Sequence, residues 1–257
     1  MQQFVCLSGL PRSGSTLLSA LLSQNHTIHA EGNSAVCQLM WDMYESCTNK
    51  ASEQLKANNR HATIRDLISQ LPQIYYKNIP KEKQIVVDKC RSWTIPINIA
   101  LLKEYIEPHL KIIVLERSIT DIVKSFAKLY KLNSASDINQ QLQKLLTPNS
   151  EPIMRSITGI NAAKRSQQNE HFIFIQYEVL IAQPDLTMER IYAFCGWAPF
   201  SHNFSHIINQ YPENDEHYQL KGFHSVRPNL AKQPNDVVLD AEILKKCETI
   251  DRLMGYA

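Results

Sequence analysis

The sequence predicts a single α/β domain over residues 1–257, with a central, mostly parallel sheet flanked by helices. Three observations carry this prediction. Short apolar runs alternate with helical patterns along the chain, which is the order of βαβ units. The longer runs end in polar residues, which gathers those side chains at one edge of the sheet, where open α/β sheets bind ligands. A glycine-bracketed loop, Gly9-Leu10-Pro11-Arg12-Ser13-Gly14-Ser15-Thr16, joins the first such run to the first helix.

Phe4–Leu7 is a short apolar run of strand type, and the leucine-rich Thr16–Gln24 that follows the loop is a strong helix start. A short strand at Thr27–Ala30 precedes helices over Val36–Cys47 and His61–Tyr76. The strand Gln84–Val87 runs into Asp88-Lys89, and Lys111–Leu115 runs into Glu116-Arg117. Helices over Pro96–Tyr105 and Ile119–Tyr130 come after these two strands. A helix over Ile153–Asn169 leads to the strand Phe172–Gln176, which ends in Tyr177-Glu178. The helix Leu186–Cys195 stops at Gly196, and Asp240–Met254 is the last helix. Asn133–Pro152 and Ala198–Asn235, the latter with Pro199, Pro212, Pro228 and Pro234, read as irregular. Long loops in a compact domain often serve as lids.

Composition narrows the function classes. The apolar share of 44% fills a real core. A net charge of +2, with no basic run interleaved with aromatics, leaves no electrostatic footprint for nucleic acid. No apolar stretch reaches the roughly 18 residues of a membrane span, and the chain enters its first strand with no signal-peptide pattern. The expectation is a soluble, cytoplasmic protein. The six cysteines show no C-x-x-C pairing or metal spacing and read as reduced core residues. His202 and His206 have i, i+4 spacing but no third ligand, so no metal is predicted.

The glycine loop is a P-loop-like anion site with one substitution. In the nucleoside-triphosphate pattern a lysine follows the second glycine, and here Ser15 holds that position while a cation stands at Arg12. The helix start supplies unpaired N–H groups and a positive dipole end, and the glycines let the backbone approach an oxyanion. Ser13, Ser15 and Thr16 add hydroxyls. A second signal follows the third long strand, where Arg117 leaves the strand and Ser125 stands about two helical turns further on.

Together, Pro11–Thr16 and the Arg117/Ser125 pair resemble the sulfotransferase superfamily, closest to the branch of tyrosylprotein sulfotransferases and bacterial relatives. The resemblance covers most of the chain. It implies that Arg12, Ser13, Gly14, Ser15 and Thr16 hold the 5′-phosphosulfate of 3′-phosphoadenosine 5′-phosphosulfate (PAPS). Arg117 and Ser125 then grip its 3′-phosphate. Val87-Asp88-Lys89-Cys90 is similar to the family segment that sets a lysine beside the transferring group, although Cys90 stands where the family usually has proline. Tyr177 matches a tyrosine near the donor nucleotide. Gly222–Pro228 resembles the segment that closes over the donor, with Arg227 on a phosphate. Glu31 matches the place of the branch's catalytic glutamate, with His29 as its rival base.

The function implied is sulfuryl transfer from PAPS to a hydroxyl or amine of a small-molecule, carbohydrate or peptide acceptor, releasing 3′-phosphoadenosine 5′-phosphate (PAP). Positioned cations such as Arg12 and Lys89 suit the negative charge that grows on the leaving phosphate. A kinase using ATP and magnesium is one alternative, and a non-catalytic nucleotide-binding protein is another. No clear acidic strand end follows an apolar run as a magnesium site requires; Asp88 and Glu116 are the only candidates, and pairing with Lys89 and Arg117 is their competing expectation. The acceptor pocket is expected from Met40–Tyr76, Asn133–Pro152 and Ala198–Tyr218, which carry no readable motif.

Overall fold

A computed structural model describes residues 3–166, 169–231 and 236–256. Its sheet has five strands, β1 (Gln3–Gly9), β2 (Ile28–Asn33), β3 (Ile85–Lys89), β4 (Ile112–Glu116) and β5 (Phe172–Gln176). They lie in the order β2-β3-β1-β4-β5 and every neighbouring pair is parallel. The helices are α1 (Ser15–Leu22), α2 (Val36–Glu45), α3 (Ser52–Ala57), α4 (Thr63–Tyr75), α5 (Pro96–Leu101) and α6 (Ile119–Leu132). They continue with α7 (Ile138–Leu145), α8 (Ile153–Arg165), α9 (Tyr177–Ala182), α10 (Pro184–Cys195) and α11 (Ala241–Met254).

The predicted α/β class and mostly parallel sheet are therefore what the chain adopts. All five strands stand where the apolar runs placed them, shifted by a few residues at their ends. The predicted helix Ile153–Asn169 ends earlier, at Arg165, and residues 167 and 168 fall outside those described, as does Pro234. The Asn133–Pro152 stretch is not wholly irregular, because α7 forms inside it. Leu142 and Leu145, spaced i, i+3, are buried, and that one-sided apolar stripe outweighs the polar turns at either end.

Strand alternation divides the core between the two faces of the sheet. Cys6, Ile112 and Val114 pack into one apolar cluster, whereas Val5, Leu7, Ile113 and Leu115 pack into the other. Each fully buried leucine or isoleucine contributes on the order of 1.5–3 kcal/mol. The result is a rigid platform with β1 at its centre. The chain runs from β1 outward to β2 and β3 on one side, then to β4 and β5 on the other. That reversal of direction at β1 opens a crevice beyond the carboxyl ends of the strands.

Register then decides which side chains meet there. Leu7 lies opposite Lys89, and Glu116 opposite Gln176, so Arg117 and Tyr177 leave their strands at the same level. Helix α6 carries Ser125 back toward this edge. Its N-terminus is held by Asp251 of α11, whose carboxylate accepts from the Ser118 hydroxyl at 2.9 Å and from the amides of Ile119 and Thr120 at 2.5 and 3.1 Å. An acid at a helix N-terminus satisfies orphan donors and the helix dipole together. Among the described residues no helix is long and apolar enough to cross a membrane.

Candidate active site

A cavity of about 400 Å³ opens at the carboxyl edge of the sheet, within the size range of small-molecule sites. Arg12, Gly14, Ser15, Thr16, Lys89, Arg117, Ser125, Tyr177 and Arg227 all line it. Residues widely spaced in sequence thus converge on one volume. Ser13 faces inward instead: it is fully buried, and its hydroxyl donates to the Leu10 carbonyl at 2.5 Å, which braces the loop.

Three residues of the loop, Gly9, Arg12 and Gly14, have positive φ, and two of them shape its turn. Gly14 has φ +91°, and a Cβ there would stand 2.7 Å from the ring of Tyr177, so the position tolerates no side chain. Arg12 adopts φ 57° despite its side chain. That conformation is unfavourable for a non-glycine residue, and the surrounding contacts hold it. Its Nε donates to Ser125 Oγ at 3.1 Å, its Nη1 donates to the Phe223 carbonyl, and its guanidinium lies 5.5 Å from the Phe223 ring centre. Arg117 donates from Nη1 to the Arg12 carbonyl at 3.0 Å and rests over Tyr177, 4.3 Å from the ring centre. Burial and the charge of Arg117 both pull the Arg12 pKa down, which marks a concentrated positive site.

Lys89 is only 3% exposed at its side chain and forms an ion pair of 2.9 Å with Glu213. Its Nζ also donates to Thr16 Oγ1 at 3.4 Å, which ties β3 to the start of α1. Burial lowers the lysine pKa and Glu213 partly restores it. Glu213 comes from the segment between α10 and α11, whose short 3₁₀ turn spans Asp215–Tyr218. Its other oxygen accepts from Asn33 Nδ2 and Tyr218 OH, each at 3.2 Å. The contact is close enough that a Cβ on Gly32 would collide with the Glu213 side chain.

His224 also lines the cavity, with Nδ1 2.7 Å from Asp215 and Nε2 3.5 Å from Glu213. Burial lowers its pKa against the pull of both carboxylates. Glu31 is not among the lining residues. Its carboxylate sits 3.0 Å from His29 Nε2, and His29 itself is buried against Tyr76 and Tyr211. The cause is a bulge in β2: Ala30 lies opposite Val87, but Asn33, not Gly32, lies opposite Lys89. An extra residue re-aims the following side chains, so Asn33 reaches the cavity.

The two acidic strand ends correct an expectation. Neither pairs with its sequence neighbour. Asp88 is fully buried and accepts from Ser34 Oγ at 2.5 Å, Tyr76 OH at 2.7 Å and Trp93 Nε1 at 2.7 Å. Glu116 meets Lys164 Nζ at 2.6 Å and Tyr256 OH at 2.6 Å, while Arg117 faces Glu178 at 3.8 Å. Successive residues of a strand point to opposite faces, which sends each acid away from the cation beside it.

Sequence reasoning missed Asn33, Arg91, Glu213 and the pairing of His224. His224 lay inside the recognised Gly222–Pro228 run, which gave a signal. Asn33 depends on the bulge and Glu213 on a loop without a motif, and neither left one.

Comparison with known proteins decides the family at this point. The model of a family described as "Sulfotransferase family" matches residues 5–202, most of the chain. The chain belongs to the sulfotransferase family. No curated protein sequence matches it at a significant level. Among solved structures, a sulfotransferase domain from the curacin biosynthetic pathway superposes with TM-score 0.61 at 18% identity, covering 100% of this chain and 98% of that one. The sulfotransferase domain of the Synechococcus PCC 7002 olefin synthase gives 0.59 at 16% identity, covering 100% and 96%. Retinol dehydratase in complex with retinol and PAP gives 0.51 at 14% identity, covering 98% and 81%. At these identities the likenesses concern the sulfotransferase fold.

Proposed function

We propose that this sulfotransferase-family protein uses PAPS as donor, moves its sulfuryl group to a hydroxyl or amine, and releases PAP. The observation that carries this reading is the direct junction of two anion grips. Arg12 of the loop bonds Ser125, and Arg117 bonds the Arg12 backbone, in one cavity. In this reading Arg117, Ser125 and Arg227 take the 3′-phosphate, with Tyr177 beside the nucleotide. The 5′-phosphosulfate lies along Gly14, Ser15 and Thr16, on a loop braced by Ser13, with Arg12 and Lys89 against it.

In the reaction the acceptor's oxygen or nitrogen forms a bond to sulfur as the bond from sulfur to the bridging oxygen breaks. The electron pair of that bond leaves with the 5′-phosphate, where Lys89 and Arg12 stabilise it. The acceptor proton passes to a base. Geometry favours His224 over Glu31, because His224 lines the cavity and its pKa is held down by burial, so the ring stays neutral near pH 7. Asp215 fixes the ring orientation. The acceptor is a small molecule, carbohydrate or peptide bearing the attacking group.

The kinase alternative is disfavoured by Ser15 at the lysine position and by Asp88 and Glu116, whose oxygens already serve other side chains. Calorimetric titration tests the choice. PAP should bind without magnesium and far more tightly than AMP, and ATP with magnesium should bind weakly. A preference for magnesium-ATP would reject the proposal.

A further inference from the structure

Arg91 opens the 3₁₀ turn Arg91–Thr94 directly after β3 and lines the same cavity, two residues from Lys89. The turn is a fixed platform. The Arg91 carbonyl accepts from Ser8 Oγ of β1 at 2.8 Å, Trp93 is buried and tied to Asp88, and Asn98 Nδ2 holds the Ser92 carbonyl at 2.8 Å. The side chain is treated differently. Its Nε is buried and has no hydrogen-bond partner, and no ion pair engages its guanidinium among the described residues. Four other cations of the cavity are engaged: Lys89 by Glu213, Arg117 by Glu178 and the Arg12 carbonyl, Lys128 by Asp236, and Arg12 by Ser125 and the Phe223 carbonyl.

A guanidinium kept in a partly buried wall without a partner is costly. It also weakens its neighbour, since after burial itself the Arg91 charge is one of the influences that lower the Lys89 pKa. Folding alone gives no return for that arrangement. An arriving oxyanion would, because the fork of donors matches two oxygens of one tetrahedral or planar anion. The loop, Arg12, Lys89 and the Arg117/Ser125 pair already account for both phosphates of the donor, which leaves Arg91 for another group.

We infer that Arg91 is an anion-binding residue that completes, beside Lys89, an oxyanion subsite for either the donor's sulfonate or an acidic group of the acceptor. This inference rests on the PAPS reading above, and PAP titration of the unaltered protein tests that reading separately. If PAP binds, the subsite is read with Arg91→Ala and Arg91→Lys, using PAPS and inorganic sulfate titrated into the PAP-saturated enzyme. A sulfonate role predicts that Arg91→Ala loses about tenfold or more in PAPS affinity, and loses sulfate binding, with PAP affinity held within threefold. An acceptor role predicts that sulfate binding is lost while PAPS affinity stays. Arg91→Lys keeps charge but not the fork, and should fall between. Ligand-free thermal unfolding of Arg91→Ala should match or exceed that of the unaltered protein, since no internal bond is lost. Affinities for PAPS and sulfate both within threefold of the unaltered protein, or a drop of several degrees in Tm, would overturn the inference.

Discussion

Asp88 and Glu213 are the two carboxylates the sequence and the fold set against Lys89: Asp88 is its neighbour in the chain, fully buried and turned away from it, whereas Glu213 comes from 124 residues away, lies partly buried and pairs with it. Their surroundings are opposite. Asp88 is surrounded by neutral donors, Ser34, Tyr76 and Trp93, which join β2, α4 and the turn after β3 into one knot. Burial raises its pKa although all three hydrogen bonds favour the ionised form. Glu213 is surrounded by cationic or cationisable groups, Lys89 and His224, together with Asn33 and Tyr218. Burial pushes its pKa up, and the charges of Lys89 and His224 more than reverse that push. A carboxylate held by neutral donors is architecture. One held by the same cation that is proposed to meet the donor can, on that proposal, be exchanged for another anion, which makes the Glu213–Lys89 pair the releasable contact of the two.

The largest effect should come from breaking the architectural carboxylate. Asp88→Ala orphans three buried donors at once, and at about 1–3 kcal/mol each the loss should be roughly 3–9 kcal/mol, read as a lower denaturant midpoint. A loss below 1 kcal/mol would mean that the knot is not structural and would erase the contrast. The next effect separates fold from chemistry. Lys89→Met removes the cation that Glu213 and the donor share, and should cut turnover about 100- to 1000-fold, the range for a lost transition-state donor. PAP affinity should change far less, because the phosphates keep Arg12, Arg117 and Ser125. A smaller effect is expected at Arg117, where Arg117→Ala should weaken PAP binding by about 1.5–3 kcal/mol without the stability loss predicted at Asp88. If Arg117→Ala spares PAP affinity, the 3′-phosphate assignment fails.

How much of this could be read from sequence follows from how local each feature is. The strands, and the class they define, rest on apolar runs of four or five residues, and a central parallel strand is apolar on both faces. The glycine loop is contiguous, so Arg12 and Gly14 announce themselves by spacing alone. Arg117 and Ser125 are one strand end and one helix apart, which is still short range. Glu31 shows where such reading ends. Its position after a short strand was visible, but the bulge between Ala30 and Asn33 depends on how β2 pairs with β3. Glu213 is more remote still: nothing in the run Tyr211-Pro212-Glu213-Asn214 encodes that it will reach Lys89. Asp88 misled for the opposite reason. Its sequence neighbour is a lysine, and alternation along a strand sends the two side chains apart.

The finest test of the contrast is the sign of two pH dependences. Glu213 has a folded-state pKa below its ordinary 4.5, so its contribution to stability is present above about that pH and disappears as pH falls through the depressed value. Asp88 has a folded-state pKa above its ordinary 3.8, so the folded state binds the proton first and gains stability relative to the unfolded chain as pH falls from neutrality through the raised value. Glu213→Gln and Asp88→Asn each delete one titration while keeping an acceptor oxygen. Denaturant unfolding from pH 7 to pH 3 should therefore show the advantage of the unaltered protein over Glu213→Gln shrinking below about pH 4.5. Its advantage over Asp88→Asn should grow across the same interval. His224 has to be subtracted first, because burial lowers its pKa below 6.5 and its stability contribution also fades as pH falls below that value. Asp88→Asn leaves the carboxylates around His224 in place, so that difference cancels its share, whereas Glu213→Gln removes a carboxylate that raises the His224 pKa, so there the imidazole titration is followed by NMR in both proteins and its share subtracted. Two differences that move in the same direction would mean that Asp88 and Glu213 sense one shared field, and the division into a structural knot and a releasable contact would not hold.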